Sequence, residues 1–340
     1  MADSRNPLTD LGEEHASTHE HAHTHRAIDP SLLSSEVGIR AVKWSLAALF
    51  ATALLQIVVV VFTGSVALLA DTIHNFGDAL TAIPLWIAFR LSQRPPTRRF
   101  TYGFGRAEDL AGLAVILMIL LSALFSGYES IQRILEPQPV RNLWAVAAAA
   151  LIGFIGNEAV ALYRIRVGRQ IGSAALVADG YHARTDGFTS LAVLAGAIGI
   201  WLGYPLADPV IGLLITVVIF RILWDVSRDV LRRILDGVDP EVVDEVEHAV
   251  EHVPGVLAVN QVRVRWIGHR MHAELSISVE PEISIRQGHN LALEVQHQLL
   301  HHLNYLSSAT IHVDPVDASG IAFHQVDSHL HGDFPTHAHG

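Results

Sequence analysis

Six apolar stretches, each long enough to cross a lipid bilayer, occupy the chain between Lys43 and Leu231. They run Lys43–Phe62, Val66–Leu91, Asp109–Ile131, Leu143–Tyr163, Ala174–Leu202 and Pro209–Leu231. A helix needs about 20 apolar residues to span about 30 Å of hydrocarbon. Open strands or coils there would leave backbone groups unsatisfied. The stretches therefore predict an α-helical membrane protein with six transmembrane helices. Gly64, Pro137 with Pro139, and Gly203 with Pro205 separate them in pairs. Only 17% of the chain is charged, below the soluble norm of about 25%.

Basic residues set the orientation. Arg90, Arg94, Arg98, Arg99 and Arg106 lie between the second and third stretches, and Arg164, Arg166 and Arg169 between the fourth and fifth. Arg228, Arg232 and Arg233 end the sixth. The links after the first and fifth carry no Lys or Arg; Arg133 and Arg141, after the third, blur the pattern. Both termini are expected to be cytoplasmic. The first thirty residues have neither the basic nor the apolar region of a cleaved signal.

Four regions are predicted. Residues 1–36 form a polar lead-in with His15, His19, His21, His23 and His25, read as disordered. Residues 37–235 hold the six spans. Residues 236–317 change pattern to α-β-β-α-β: an amphipathic helix Pro240–Val253, strands Val256–Trp266 and Met271–Val279 turning at Gly268, a helix Ser284–His302, and a short strand Ala309–Val313. That order predicts a small α+β domain with helices on one face of a sheet. Residues 318–340 are a polar, His-bearing tail, a weak metal buffer or simply solvated.

Two spans repeat one motif. Ala70-Asp71-Thr72-Ile73-His74-Asn75-Phe76-Gly77-Asp78 and Ala178-Asp179-Gly180-Tyr181-His182-Ala183-Arg184-Thr185-Asp186 both read A-D-x-x-H-x-x-x-D. The offset is 108 residues for both the His and the Asp. Residues at i and i+4 share one helix face. Two such faces turned together present two imidazoles and two carboxylates, a tetrahedral set suited to zinc. Each His lies roughly 15 Å into its span at 1.5 Å per residue, so the pairs can be level.

A packing role for a single intramembrane His is unremarkable, but a mid-bilayer Asp costs about 2.5–3.5 kcal/mol on insertion scales. Two matched pairs make His74, Asp78, His182 and Asp186 the expected transport ligands. Asp71 and Asp179 are candidates to orient the imidazoles or to cap a helix turn, and Asn75 and Asn157 to bond between helices. The chain has no Cys, so thiolate ligands are excluded. No H-E-x-x-H motif supports a membrane metalloenzyme, and one tetrahedral site differs from the repeated weak sites of a channel. A non-transporting sensor is the remaining rival. No enzyme activity, resident cofactor or nucleic-acid partner is expected.

Together these residues resemble the cation diffusion facilitator family. Tyr102-Gly103-Phe104-Gly105-Arg106-Ala107-Glu108 is similar to its G-x-x-R-x-E stretch, and Asp208-Pro209 and the α-β-β-α-β region match too. The resemblance, over about Lys43 to Pro315, implies a homodimer that exchanges a divalent metal for protons by alternating access, with a ferredoxin-like cytoplasmic domain. It implies zinc, since manganese-type members tend to carry Asp in place of the helix-two His; cadmium, cobalt and nickel are alternatives. His289, His312 and Asp314, with His272, resemble regulatory metal positions of the family's cytoplasmic domain, although Ser276 stands where some members have His. The short Arg-bearing fourth link resembles bacterial members, implying the inner membrane.

Overall fold

The computed structural model describes residues 30–63, 82–136, 142–204, 206–320, 326–329 and 337–339. Among the described residues six helices precede the α+β region: α1 Pro30–Thr63, α2 Ala82–Ser92, α3 Arg106–Leu135, α4 Leu143–Ile171, α5 Ala174–Trp201 and α6 Ala207–Ile234. Of these, α1, α3, α4 and α6 contain windows long and apolar enough to cross a membrane. In α5 that character is broken by Asp179, His182, Arg184 and Asp186. The start of the second predicted span, 66–81, lies outside the described residues.

Large side chains such as Trp44, Leu121, Trp201 and Val217 point outward, whereas buried positions are mostly small or β-branched: Ala149, Ala161, Ala178, Ala183, Val160 and Val115. This is how helices pack in lipid, where apolar burial drives nothing and close backbone approach supplies the attraction. At Gly156 a Cβ would collide with Thr52 of α1. Gln56 Nε2 donates to the Ala149 carbonyl at 3.2 Å, tying the same two helices. Arg133 of α3 bonds Asp208 of α6 at 2.7 Å.

Two expectations about the membrane helices are corrected. Pro30–Glu36, read as part of the polar lead-in, is the first stretch of α1, because Pro suits a helix start and a helix continues past the bilayer where protein covers it. Arg164, Arg166 and Arg169, read as a loop, belong to α4, which ends at Gly172 in the left-handed region (φ 72°). Only Gly172 and Ser173 separate α4 from α5, and the Ser173 side chain caps α5 by accepting from Leu176 N–H.

The C-terminal region has the predicted order: α7 Pro240–Glu251, β1 Ala258–Ile267, β2 Arg270–Val279, α8 Ile285–His302 and β3 Leu306–Pro315. The last strand, expected over Ala309–Val313, is longer because it pairs in parallel with β2 along Met271–Val279. The sheet order is β1-β2-β3, with β1 and β2 antiparallel. Gln261, at φ 48°, sits where the β1 register shifts between Asn260 and Arg263, a bulge. Ala273, Leu275, Ile277 and Val279 pack with Val246 and Val250 of α7 and Val295 and Leu299 of α8. Ser284 and Gln287 form a capping box on α8. In the tail, read as polar and His-bearing, β4 Val326–His329 pairs with β5 His337–His339.

Candidate metal site

Helix α5 positions half of the sequence-derived site. His182 and Asp186 are one turn apart, 2% and 6% exposed, with His182 Nδ1 3.8 Å from Asp186 Oδ1. Ligand atoms bound to a tetrahedral zinc at about 2.0–2.2 Å lie about 3.3–3.5 Å apart, so a small side-chain adjustment suffices for both to bind one ion. Thr185 donates to the His182 carbonyl, and Thr189 to the Asp186 carbonyl, each through a side-chain hydroxyl. His74 and Asp78, with Asp71 and Asn75, lie outside the described residues.

Asp179 is fully buried, and its Oδ2 is 3.0 Å from Arg164 Nη1 on α4. A second charged pair, Arg184–Glu158, joins the same helices through two hydrogen bonds of 2.7 and 3.1 Å. Asn157 is also buried on the α4 face toward Gly187. Asn157 was expected to face a neighbouring helix, whereas the two charged pairs were not anticipated. Their signal was present: Asn157, Ala161, Arg164 and Gly168 recur at spacings of four, three and four residues, one continuous face of a longer α4.

Of the cytoplasmic candidates, His272, His312 and Asp314 share a sheet and His289 lies on α8, and the four are not gathered. His312 Nε2 is 2.8 Å from Asp314 Oδ1 on β3. In register, His312 stands beside Ser276 and Asp314 beside Ser278. His272 instead hydrogen-bonds Ser308 through Nδ1 at 2.7 Å, and burial holds its imidazole below the ordinary value. His289 is exposed at the start of α8. Among the described residues no three His, Asp or Glu side chains of one chain come together as a cation site.

Where the membrane helices meet the α+β domain, Glu108, the last residue of the G-x-x-R-x-E stretch, and Asp109 after it are buried. Arg106 pairs with Asp109 and with Asp236 beyond α6. Arg233 stacks over Trp266 of β1 at 4.1 Å and donates to the Gly172 carbonyl. A cavity of about 660 Å³ lies here, lined by Tyr181, Asp225, Asp229, Glu245 and Tyr305, among others.

A helical membrane domain carrying a buried His-Asp couple, followed by this α+β domain, defines a class of transporter. The model for the cation efflux transmembrane domain matches residues 42–235, and that for the cytoplasmic domain of cation efflux proteins matches 238–316. The chain belongs to the cation diffusion facilitator family and is a multi-pass membrane protein that moves cations out across the membrane.

The probable cation efflux system protein Rv2025c of Mycobacterium tuberculosis is 56% identical over 298 residues, 87% of this chain and 90% of that one. The manganese efflux system protein MneS of Bacillus subtilis is 25% identical, covering 80% and 94%. A solved cadmium form of a MamM CTD variant is 29% identical over 22% of this chain and 94% of that one, with a TM-score of 0.22.

Proposed function

We propose that the chain exports zinc in exchange for protons, holding the ion between His74, Asp78, His182 and Asp186. The observation that carries this reading is the buried His182–Asp186 couple, one turn apart on α5, repeated in sequence by His74 and Asp78. Two carboxylates balance the 2+ charge, and two imidazoles favour a borderline ion over a hard one. Zinc is cargo here, and at the cytoplasmic domain a regulatory ion.

Proton coupling follows from the ligand chemistry. A neutral imidazole binds metal and a protonated one repels it, so protons arriving from the acidic side displace the ion. The transporter works as a homodimer in the bacterial inner membrane with cytoplasmic termini. A second copy completes the cytoplasmic site that His312–Asp314 begins, with His289 and His272 as its further candidates. Apart from Pro30–Glu36, which belongs to α1, the regions 1–36, 37–235, 236–317 and 318–340 are a His-bearing lead-in, transport domain, regulatory domain and tail.

Reconstituted vesicles test the reading. Wild type should accumulate zinc along an imposed pH gradient, with manganese, cadmium, cobalt and nickel slower, and Asp186→Ala should lose flux while unfolding at the wild-type temperature. Zinc flux indifferent to the pH gradient, or intact in Asp186→Ala, overturns it.

A further inference from the structure

The turn between β1 and β2 is seated against the inner ends of the membrane helices. Gly268, at φ 63°, leaves no room for a side chain: a Cβ would come within 2.7 Å of the Gly105 carbonyl and 3.0 Å of Glu108 Oε2. Its N–H donates to Asp109 Oδ2 at 3.3 Å. The next residue, His269, is 3% exposed although it sits at a hairpin tip.

Three helices surround this imidazole. Nδ1 is 2.7 Å from Glu108 Oε2 on α3. Nε2 is 3.4 Å from the Ser35 hydroxyl on α1. The ring centre is 6.0 Å from that of Phe89 on α2. Glu108, itself 1% exposed, accepts at its other oxygen from the Ser173 hydroxyl. Ser173 Oγ in turn accepts from Leu176 N–H at 3.1 Å, the N-cap of α5.

One hydrogen-bond chain thus runs from the cytoplasmic hairpin to the helix bearing His182 and Asp186. One set of directions is consistent throughout: Nδ1–H and Oγ–H each donate to a different oxygen of the Glu108 carboxyl, and the Ser35 hydroxyl donates to Nε2. Apolar docking alone needs no ionisable groups. A buried network is unfavourable unless each member is satisfied, and when satisfied it selects one arrangement. His182 follows Leu176 within two helical turns, so a displaced cap displaces the ligands.

We propose that His269 is a positioning residue for transport: through Glu108 and Ser173 it holds the start of α5, and so His182 and Asp186, in register with the cytoplasmic domain. This rests on α5 being the ligand-bearing helix.

The test uses the full chain in liposomes with zinc. His269→Asn keeps an N–H donor at the Nδ1 position; His269→Gln moves it toward Nε2 and strands Glu108. Because the chain has no Cys, Val177→Cys in each background reports the exposure of the first turn of α5 by its labelling rate, whatever the cargo. His269→Gln should lower maximal flux about tenfold, the scale of losing one hydrogen bond to a charged group. Its zinc KM should hold, and the thiol introduced by Val177→Cys should be labelled faster. His269→Asn should restore both readouts.

Wild-type flux and labelling in the Gln variant overturn the proposal. So does an Asn variant no better than Gln when both unfold at the wild-type temperature. If the Gln variant does not fold, Ser173→Ala breaks the chain at its far end with the hairpin intact; unchanged turnover and labelling there also overturn it. A wild type that moves no zinc sinks the transport reading alone, since the labelling comparison still decides the relay.

Discussion

Arg164 and Asp179 form an ion pair of 3.0 Å across the α4–α5 interface, and they are 1% and 0% exposed. Asp179 is thereby held toward α4. Among the described residues, Arg164 Nε and Nη2 have no hydrogen-bond acceptor, so Asp179 is the counter-charge on which the guanidinium depends.

Breaking such a pair from one side leaves an uncompensated buried charge, at about 3–5 kcal/mol. Asp179→Asn should therefore destabilise the protein by about that amount, whereas Arg164→Met with Asp179→Leu should recover most of it. Thermal unfolding in detergent measures both. A fully stable Asp179→Asn that merely binds metal less well would make Asp179 a ligand instead.

Selectivity should respond to His74. Replacing its imidazole with a carboxylate hardens the donor set, which favours manganese over zinc. His74→Asp is expected to raise the manganese-to-zinc flux ratio by at least about tenfold, matching about 1.4 kcal/mol of differential binding. Competitive uptake of the two metals gives the ratio directly; an unchanged ratio would remove His74 from the cargo's ligands.

The cytoplasmic domain should lose stability in mild acid through His272. Burial is the largest cause of its lowered pKa, and Arg265 and Arg270 add to it. The folded state then binds that proton less tightly than the unfolded state does. The contribution of His272 is therefore complete above its ordinary 6.5 and declines as pH falls through the depressed folded value. Protection factors of the β2 and β3 amides, taken relative to the intrinsic exchange rate at each pH, should fall over that window, and His272→Asn, which keeps a polar group at the Nδ1 position for Ser308, should flatten the change.

Packing between α1 and α4 should fail at one glycine. A Cβ at Gly156 meets the hydroxyl and methyl of Thr52 well inside van der Waals contact. Gly156→Val should cost about 1–3 kcal/mol, the range for overpacking, and Thr52→Gly should relieve it. Detergent unfolding of the single and double variants shows the compensation or its absence.

The parts of this molecule that repeat at a fixed period were legible beforehand. His182 and Asp186 obey the four-residue spacing of a helix face, and β2 alternates His272, Glu274, Ser276 against Ala273, Leu275, Ile277. Arg164 was hidden because basic residues near a span end ordinarily mark a loop, and its partner arrives only after the chain turns back. Glu108 stood out within its motif, yet His269 lies 161 residues further on, and no local pattern reports a contact made by folding. The length of β3 was hidden likewise, being set by β2.

Gly172 and Ser173 alone join α4 to α5. Two residues reach at most about 7 Å, scarcely more than the 5.4 Å rise of one turn, so neither helix can slip lengthwise past the other by much. On the proposed alternating access, a lengthwise stroke of His182 and Asp186 would carry Asn157, Glu158 and Arg164 as well. The unit that would move is then a hinged pair, and among the described residues its main seams are those where α4 meets α1 and where α5 meets α3 and α6.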